Sequence, residues 1–456
     1  MPIFIDLFAG CGGLSLGLTR SGWRGLFAIE REGNAFSTLK ANLIDGTRVP
    51  QFCWPEWLPK QACDISDLVQ RYASELEGLQ GKVDLVAGGP PCQGFSTLGR
   101  RDILDPRNHL FELYLEVVGL VRPTFLLLEN VPAFDHLRSQ DVGQDRAGNG
   151  LRKYSALVKN GVRNLGYETY SGVIRAADFG VAQIRPRYFI VAVRREVASR
   201  LADDPFTQMR RLQKNFLEDL GLDAGMPIGV ASAISDLEVG WAGARPSKEN
   251  PRFFEIHFKG PRTSYQTLLH GGVNGIEPDS LRLTKHRPAT VHRLERILQM
   301  CAPGSKLPPS ARASLGIKKH SITRLDPDRP APTLSTLPDD FVHYSEPRIL
   351  TVREMARLQS FPDWFTFQGK YTTGDKNRVT QCPRYTQVGN AVAPFVAEAL
   401  GRALHVMHDQ TLGTAKKGAV RRTARDKSIP AKSERGDSTP IDGPTGNQLW
   451  RVYRRV

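Results

Sequence analysis

No run of roughly 18 or more apolar residues occurs in the chain, so nothing in it reads as a membrane-spanning helix. The opening Met1-Pro2-Ile3-Phe4-Ile5-Asp6 has no basic segment ahead of an apolar one, and no secretory signal is expected. Cysteine is scarce. The six residues Cys11, Cys53, Cys63, Cys92, Cys301 and Cys382 include no C-x-x-C pair. That spacing argues against a disulfide framework and a cysteine zinc site and for free thiols in a reducing cytoplasm. No metal and no membrane partner are expected. Acidic residues are also short: 47 against 62 basic ones, a formal net charge of +15 and a pI of about 9.6. Such an excess favours a polyanionic partner, nucleic acid before a membrane surface. About half of it falls after residue 410, in a stretch rich in Lys, Arg, Ser, Gly and Pro that is expected to be disordered.

What is present is a strand–helix alternation over residues 1–195. Apolar runs at Ile3–Phe8, Gly25–Glu30, Val83–Ala87, Phe125–Glu129, Glu168–Arg175 and Tyr188–Val193 read as strands. Amphipathic stretches at Leu14–Arg20, Ala35–Asn42, Leu110–Leu120 and Tyr154–Leu165 read as helices. This pattern predicts an α/β fold with a doubly wound, mostly parallel sheet, whose ligands sit at the carboxyl ends of the strands. From 196 to 345 the rhythm fades, apart from a helical stretch at Pro288–Met300, and a smaller irregular domain is expected. Regular structure returns at Val352–Gln359 and at Ala391–Met407, a helix expected to be capped by Gly389-Asn390. The division is therefore 1–195 completed by 346–410, then 196–345, with 411–456 as a basic tail.

The first strand delivers Asp6-Leu7-Phe8-Ala9-Gly10-Cys11-Gly12-Gly13 into a helix, a glycine turn that allows a ligand close to backbone. Glu30 closes the second strand twenty residues after Gly10, where a carboxylate can accept from ribose hydroxyls. Asp64 is expected after a third strand, facing an adenine amino group. A nicotinamide dehydrogenase would carry G-x-G-x-x-G, but here Ser15 stands where the third glycine belongs.

After a fourth strand comes Gly88-Gly89-Pro90-Pro91-Cys92-Gln93-Gly94. A lone cysteine is usually a small buried hydrophobe. Packing does not call for a Gly-Gly-Pro-Pro frame, however, and the rigid turn favours Cys92 as a nucleophile. The next strand ends in Glu129-Asn130-Val131; Glu129 can engage a ring nitrogen, or merely cap the element that follows. Gln183-Ile184-Arg185-Pro186-Arg187 brings two arginines ahead of the last strand. A zinc base deaminase would show H-x-E with P-C-x-x-C; none of the ten histidines begins an H-x-E, and Phe95 follows Cys92 by three.

In order and spacing these segments, with Arg329–Thr333 and Tyr385–Pro394, resemble the DNA cytosine-5 methyltransferases of the prokaryotic type, over nearly all of residues 1–408. The resemblance implies a methyl transfer from S-adenosyl-L-methionine to carbon-5 of a flipped-out cytosine in double-stranded DNA. It implies Cys92 as the nucleophile at carbon-6 and Glu129 as the acid at ring nitrogen 3, with Arg187 and Arg185 steadying the base. Cofactor contacts would fall on Phe8, Gly10, Glu30, Asp64, Ile65, Pro90, Leu110, Asn390 and Val392. Arg31 stands where an aromatic often stacks on adenine. The loop Thr97–Asn108, with Arg100, Arg101 and Arg107, would close over DNA.

By the same resemblance, residues 196–328 read the target sequence. Tyr265, His270, Gly271-Gly272 and Lys285-His286-Arg287 are candidates for base or phosphate contacts, and the sequence does not choose between these roles. Arg329-Pro330-Ala331-Pro332-Thr333 is expected to organise this domain. An amino-methyltransferase would show Asp/Asn/Ser-Pro-Pro-aromatic in place of Gly89-Pro90-Pro91-Cys92. A non-catalytic scaffold is disfavoured by the retained Cys92 and Glu129, and a tRNA-methylating enzyme by the long recognition region. The expected setting is a prokaryotic cytoplasm, the expected state a monomer. A restriction–modification partner and a solitary role remain open.

Overall fold

The computed structural model describes residues 1–91, 109–135, 138–139, 152–271, 277–319, 321–372 and 381–425, with backbone alone for 413–425. Cys92, the loop arginines 100, 101 and 107, and Gly272 lie outside the described residues.

Six strands form the central sheet: β1 (Ile3–Leu7), β2 (Arg24–Ile29), β3 (Leu85–Gly88), β4 (Phe125–Asn130), β5 (Tyr167–Arg175) and β6 (Pro186–Arg194). Their order is β2-β1-β3-β4-β6-β5. Strands β1 to β4 pair in parallel, and β6 runs antiparallel to both of its neighbours. The central strands are buried on both faces, as their near-continuous apolar sequences require. Successive side chains alternate between two cores: Phe4, Leu85 and Leu127 face one, Ile5, Val86 and Leu126 the other. Helices α3 (Ile65–Glu77), α4 (His109–Val121) and α5 (Tyr154–Asn164) supply the second core.

The first core is completed from the far end of the chain. Helix α1 (Gly13–Arg20), followed in the chain by α2 (Gly33–Leu39), packs on the final helix, which spans Pro394–Arg425. A Cβ on Gly17 would lie 2.4 Å from Ala397 Cβ, and one on Gly13 would lie 2.4 Å from the Val392 carbonyl oxygen. Both contacts are far inside van der Waals distance, so glycine sets how closely the two segments approach.

Several expectations from sequence differ from the fold. There is no strand between Ile29 and Leu85, so the Gly-Gly-Pro-Pro turn follows the third strand of the chain and not the fourth. Asp64 instead is the N-cap of α3, its Oδ1 accepting from Ser66 N at 3.0 Å. Gly389-Asn390 ends a separate short helix, Arg384–Asn390, because Pro394 starts a new one. The final helix continues past residue 410, where a disordered tail was expected to begin.

Within 196–345 a further helix appears at Pro205–Asp219, capped by Asp204 Oδ1 on Phe206 N (2.9 Å) and Thr207 N (3.1 Å). Its Phe206, Met209 and Phe216, together with Val230, Ile234, Tyr265 and Leu269, join the first core. Two small separate clusters, around Ile297 and around Ile256, hold the remainder of that segment. Residues Met1–Thr411 form one compact unit.

Candidate active site

At the end of β1 the chain turns sharply. Phe8 (φ 63°), Gly10 (φ 56°) and Gly12 (φ 94°) all adopt the left-handed conformation. For an aromatic residue this costs on the order of 1–3 kcal/mol, and such strain concentrates at ligand sites. A Cβ on Gly10 would meet nothing within 4 Å, so this turn opens onto free space. Gly10 N donates to Glu30 Oε2 at 2.9 Å, and Glu32 N donates to Oε1 at 2.8 Å. Burial raises the pKa of Glu30, while those amides and the exposed Arg31 oppose the shift.

Ser15 is now explained. Its hydroxyl donates to Asp6 Oδ2 at 2.5 Å, filling the position where a dinucleotide fold needs glycine. Asp6 is fully buried, burial pushes its pKa up to about 7, and Oδ1 has no partner among the described residues.

Glu129 sits at the carboxyl end of β4, 13% exposed, with Oε1 2.9 Å from Arg187 Nε. Burial raises its pKa against the pull of Arg187 and Arg185. A Cβ on Gly89 would come within 3.3 Å of Glu129 Oε2, so the glycine lets the Pro-Pro turn approach that carboxylate. Asn130 completes the link: its Nδ2 donates to the Pro90 carbonyl at 3.1 Å, and its Oδ1 accepts from Val131 N at 2.9 Å. The sequence pointed to Asn130 only as the middle of a motif; its role emerges from the pairing of two strand ends. Pro90, Pro91, Glu129 and Asn130 share a cavity with Phe111, Tyr154 and Tyr188.

The two arginines separate in role. Arg187 faces Glu129, whereas Arg185 is fully buried and points at backbone. Its Nη2 donates to the carbonyls of Gly389 (2.8 Å) and Ala391 (2.9 Å), and Nη1 to that of Leu334 (3.3 Å). A guanidinium so enclosed locks the segment around Asn390 and Val392 against the end of β6. Both of its amino groups are turned to main-chain carbonyls and not to the cavity beside Glu129, where a direct contact with the base was expected of Arg185. The Arg329–Thr333 segment locks onto the same place, with Ile184 N donating to Ala331 O at 2.8 Å and Leu334 N to Gln183 Oε1 at 2.8 Å.

Other expected cofactor residues divide likewise. Asn390 is exposed, and Val392, Leu110, Asp64 and Pro90 are half-buried. Ile65 is 2% exposed with its side chain in the second core, so only its backbone can meet a ligand. In the recognition segment, Tyr265 and His270 are buried and unavailable to DNA. Tyr265 packs edge-on against Phe395, and His270 Nδ1 lies 3.2 Å from Asp363 Oδ2. No group of three or more His, Cys, Asp or Glu among the described residues is placed to hold a metal ion, and no helix among them is long and apolar enough to cross a membrane.

The crystal structure of a protein assigned as a DNA modification methyltransferase, encoded within an E. coli prophage, superposes with a TM-score of 0.58 at 26% identity. The match covers 90% of this chain and 100% of that one. With the sheet order and the glycine turn, this makes the fold that of the S-adenosylmethionine-dependent methyltransferases. The family is narrower still: the C-5 cytosine-specific DNA methylase model matches residues 3–405. Type II methyltransferase M1.HphI of Haemophilus parahaemolyticus is 31% identical over 410 residues, 89% of this chain and 87% of that one. M.DdeI of Desulfomicrobium norvegicum is 28% identical over 408 residues, 88% of each. The chain belongs to the C-5 cytosine-specific DNA methylases and is a DNA (cytosine-5)-methyltransferase.

Proposed function

We propose that the enzyme methylates carbon-5 of a cytosine extruded from duplex DNA, with Cys92 as the covalent nucleophile and S-adenosyl-L-methionine as donor. The observation that carries this reading is the Glu129–Arg187 pair, joined through Asn130 to the Pro90 carbonyl two residues before Cys92.

Carbon-5 of an aromatic cytosine is a poor nucleophile. Attack of the Cys92 thiolate on carbon-6 makes carbon-5 enamine-like, provided the charge growing on nitrogen 3 is neutralised. Glu129, with its pKa raised by burial, meets that nitrogen as the acid, and Arg187 fixes the carboxyl in place. Once carbon-5 carries the methyl group, a base takes its remaining proton, the electron pair returns to the ring to expel Cys92 as thiolate, and nitrogen 3 gives its proton back to Glu129. Both ring faces are covered in a stacked duplex, so the base must leave the stack first.

The glycine turn fits the donor. Glu30 is only half-buried and offers its carboxylate to ribose hydroxyls, Gly10 opens onto free space, and Asp64, Asn390 and Val392 flank the same strand ends. When bound there, the cofactor supplies an electrophilic methyl group. Type II relatives favour the modification half of a restriction–modification pair, with the enzyme acting as a monomer on cytoplasmic DNA.

Labelled S-adenosylmethionine and mixed-sequence duplex DNA test the reading directly. Digestion to nucleosides should place the label in 5-methylcytosine. Label in N4-methylcytosine, or label transferred to tRNA and not to DNA, would overturn it.

A further inference from the structure

Arg282 lies in the segment assigned to target recognition and is held in an unusual way. Its guanidinium carbon is 3.6 Å from the centre of the Tyr371 ring and 4.4 Å from that of Phe253. Arg384 takes a separate place on Tyr371, at 4.4 Å, and pairs with Glu249, its Nη1 lying 2.8 Å from Oε1. Arg384 also donates from Nε to the Gly369 carbonyl at 3.0 Å and from Nη1 to Ser280 Oγ at 3.1 Å. Arg282 has no such bonds. It forms no side-chain hydrogen bond or ion pair among the described residues, although it is only half-buried.

An arginine stacked on aromatic rings has lost most of its side-chain freedom, so its forked N–H edge is pre-organised for two adjacent acceptors. The place suits a substrate contact. Phe253 and Arg282 come from the recognition segment, while Tyr371 and Arg384 come from the strip that leads into Arg384–Asn390. Gly369 in that strip approaches Asn34 so closely that a Cβ would sit 2.7 Å from its side chain. Arg282 therefore stands on the seam between the recognition segment and the strand-end region that carries Glu30.

We propose that Arg282 is a duplex-DNA contact, its stacked guanidinium presenting a fork to paired acceptors. The inference rests on the reading of the chain as a duplex-DNA enzyme. Two sources offer that chemistry, the O6/N7 edge of guanine in the major groove and the oxygens of a backbone phosphate.

Full-length wild type, Arg282→Lys and Arg282→Gln are expressed in a host without cytosine-5 methylation, and plasmid DNA is read by bisulfite sequencing. If the fork reads guanine, both variants methylate a motif relaxed at one position, with discrimination there falling about tenfold. If it holds phosphate, the motif is kept, while the slope of log affinity against log salt on duplex DNA shrinks by about one with Arg282→Gln and is kept with Arg282→Lys, which retains the charge. An unchanged motif with unchanged affinity and salt slope overturns the proposal. Absence of methylated cytosine with wild type would instead overturn the underlying reading. Should both variants misfold, wild-type protein treated with an arginine-selective dicarbonyl keeps the question open to test. Loss of modification at Arg282 when duplex DNA is added supports the contact, and equal modification with and without DNA overturns it.

Discussion

Asn130 donates its side-chain amide to the carbonyl of Pro90 across 3.1 Å, joining the strand end that carries Glu129 to the turn that precedes Cys92. The bond is neutral and half-buried, worth about 1 kcal/mol in stability. Its value for catalysis lies in position, since a nucleophile displaced by about 1 Å can lose on the order of a hundredfold in rate. Asn130→Ala should therefore lower kcat by on the order of ten- to a hundredfold while KM for DNA stays close to wild type. A steady-state comparison on duplex DNA checks this, and an unchanged kcat would remove Asn130 from the account.

Glu129→Gln keeps the shape and a bond to Arg187 but removes the acid. Methyl transfer should fall by about 10²–10⁴-fold, the usual span for loss of a positioned acid. DNA affinity in a gel-shift assay should hold within a few-fold, because Glu129 is read as meeting the base and not the phosphates that supply most of the affinity.

Asp6 predicts a pH effect with a definite sign. Its carboxyl has a folded pKa of about 7 against an ordinary value of 3.8. Between those values the folded chain holds a proton that the unfolded chain has lost, so this group's stabilisation is complete below about pH 4 and declines as pH rises toward 7. Asp6→Asn cannot ionise. The melting temperature of this variant minus that of wild type should grow from pH 5 to pH 8. A difference that stays flat, or shrinks, contradicts the assignment.

The recognition segment is fastened through buried charge. Arg357 Nη1 meets Asp236 Oδ1 at 2.5 Å, while its Nε and Nη2 take both oxygens of Asp363 at 2.8 and 2.7 Å. Arg357→Ala leaves two buried carboxylates facing each other and should cost about 3–5 kcal/mol in a denaturant titration. A loss below about 1 kcal/mol, the range of exposed pairs, would show the cluster to be solvated.

What the sequence reveals follows from how local each cause is. The six strands are apolar runs whose burial is set by their own composition, and their positions came out within a residue or two. The Pro205–Asp219 helix carried a local signal too, Asp204 before Pro205, but it lay where periodicity had faded. Asp64 was misplaced because an N-cap and a strand-end carboxylate look alike in a chain read one residue at a time. Arg185 and Arg187, two positions apart, read as equivalent cations. They diverge because one meets the carbonyls of Gly389 and Ala391, about two hundred residues onward, and the other meets Glu129. Tyr265 and His270 read as polar surface groups until their partners Phe395 and Asp363, the latter 93 residues onward, covered them.

The central claim, attack by the Cys92 thiolate on carbon-6, is tested by covalent trapping. Wild type and Cys92→Ser are incubated with S-adenosylmethionine and mixed-sequence duplex DNA in which 5-fluorocytosine replaces cytosine. Fluorine at carbon-5 cannot be removed as a proton, so elimination of the enzyme is blocked after methyl transfer. The account predicts a denaturant-resistant protein–DNA complex with wild type and none with Cys92→Ser. A complex of equal yield with the serine variant, or no complex from a wild-type preparation that methylates ordinary duplex DNA, would contradict it.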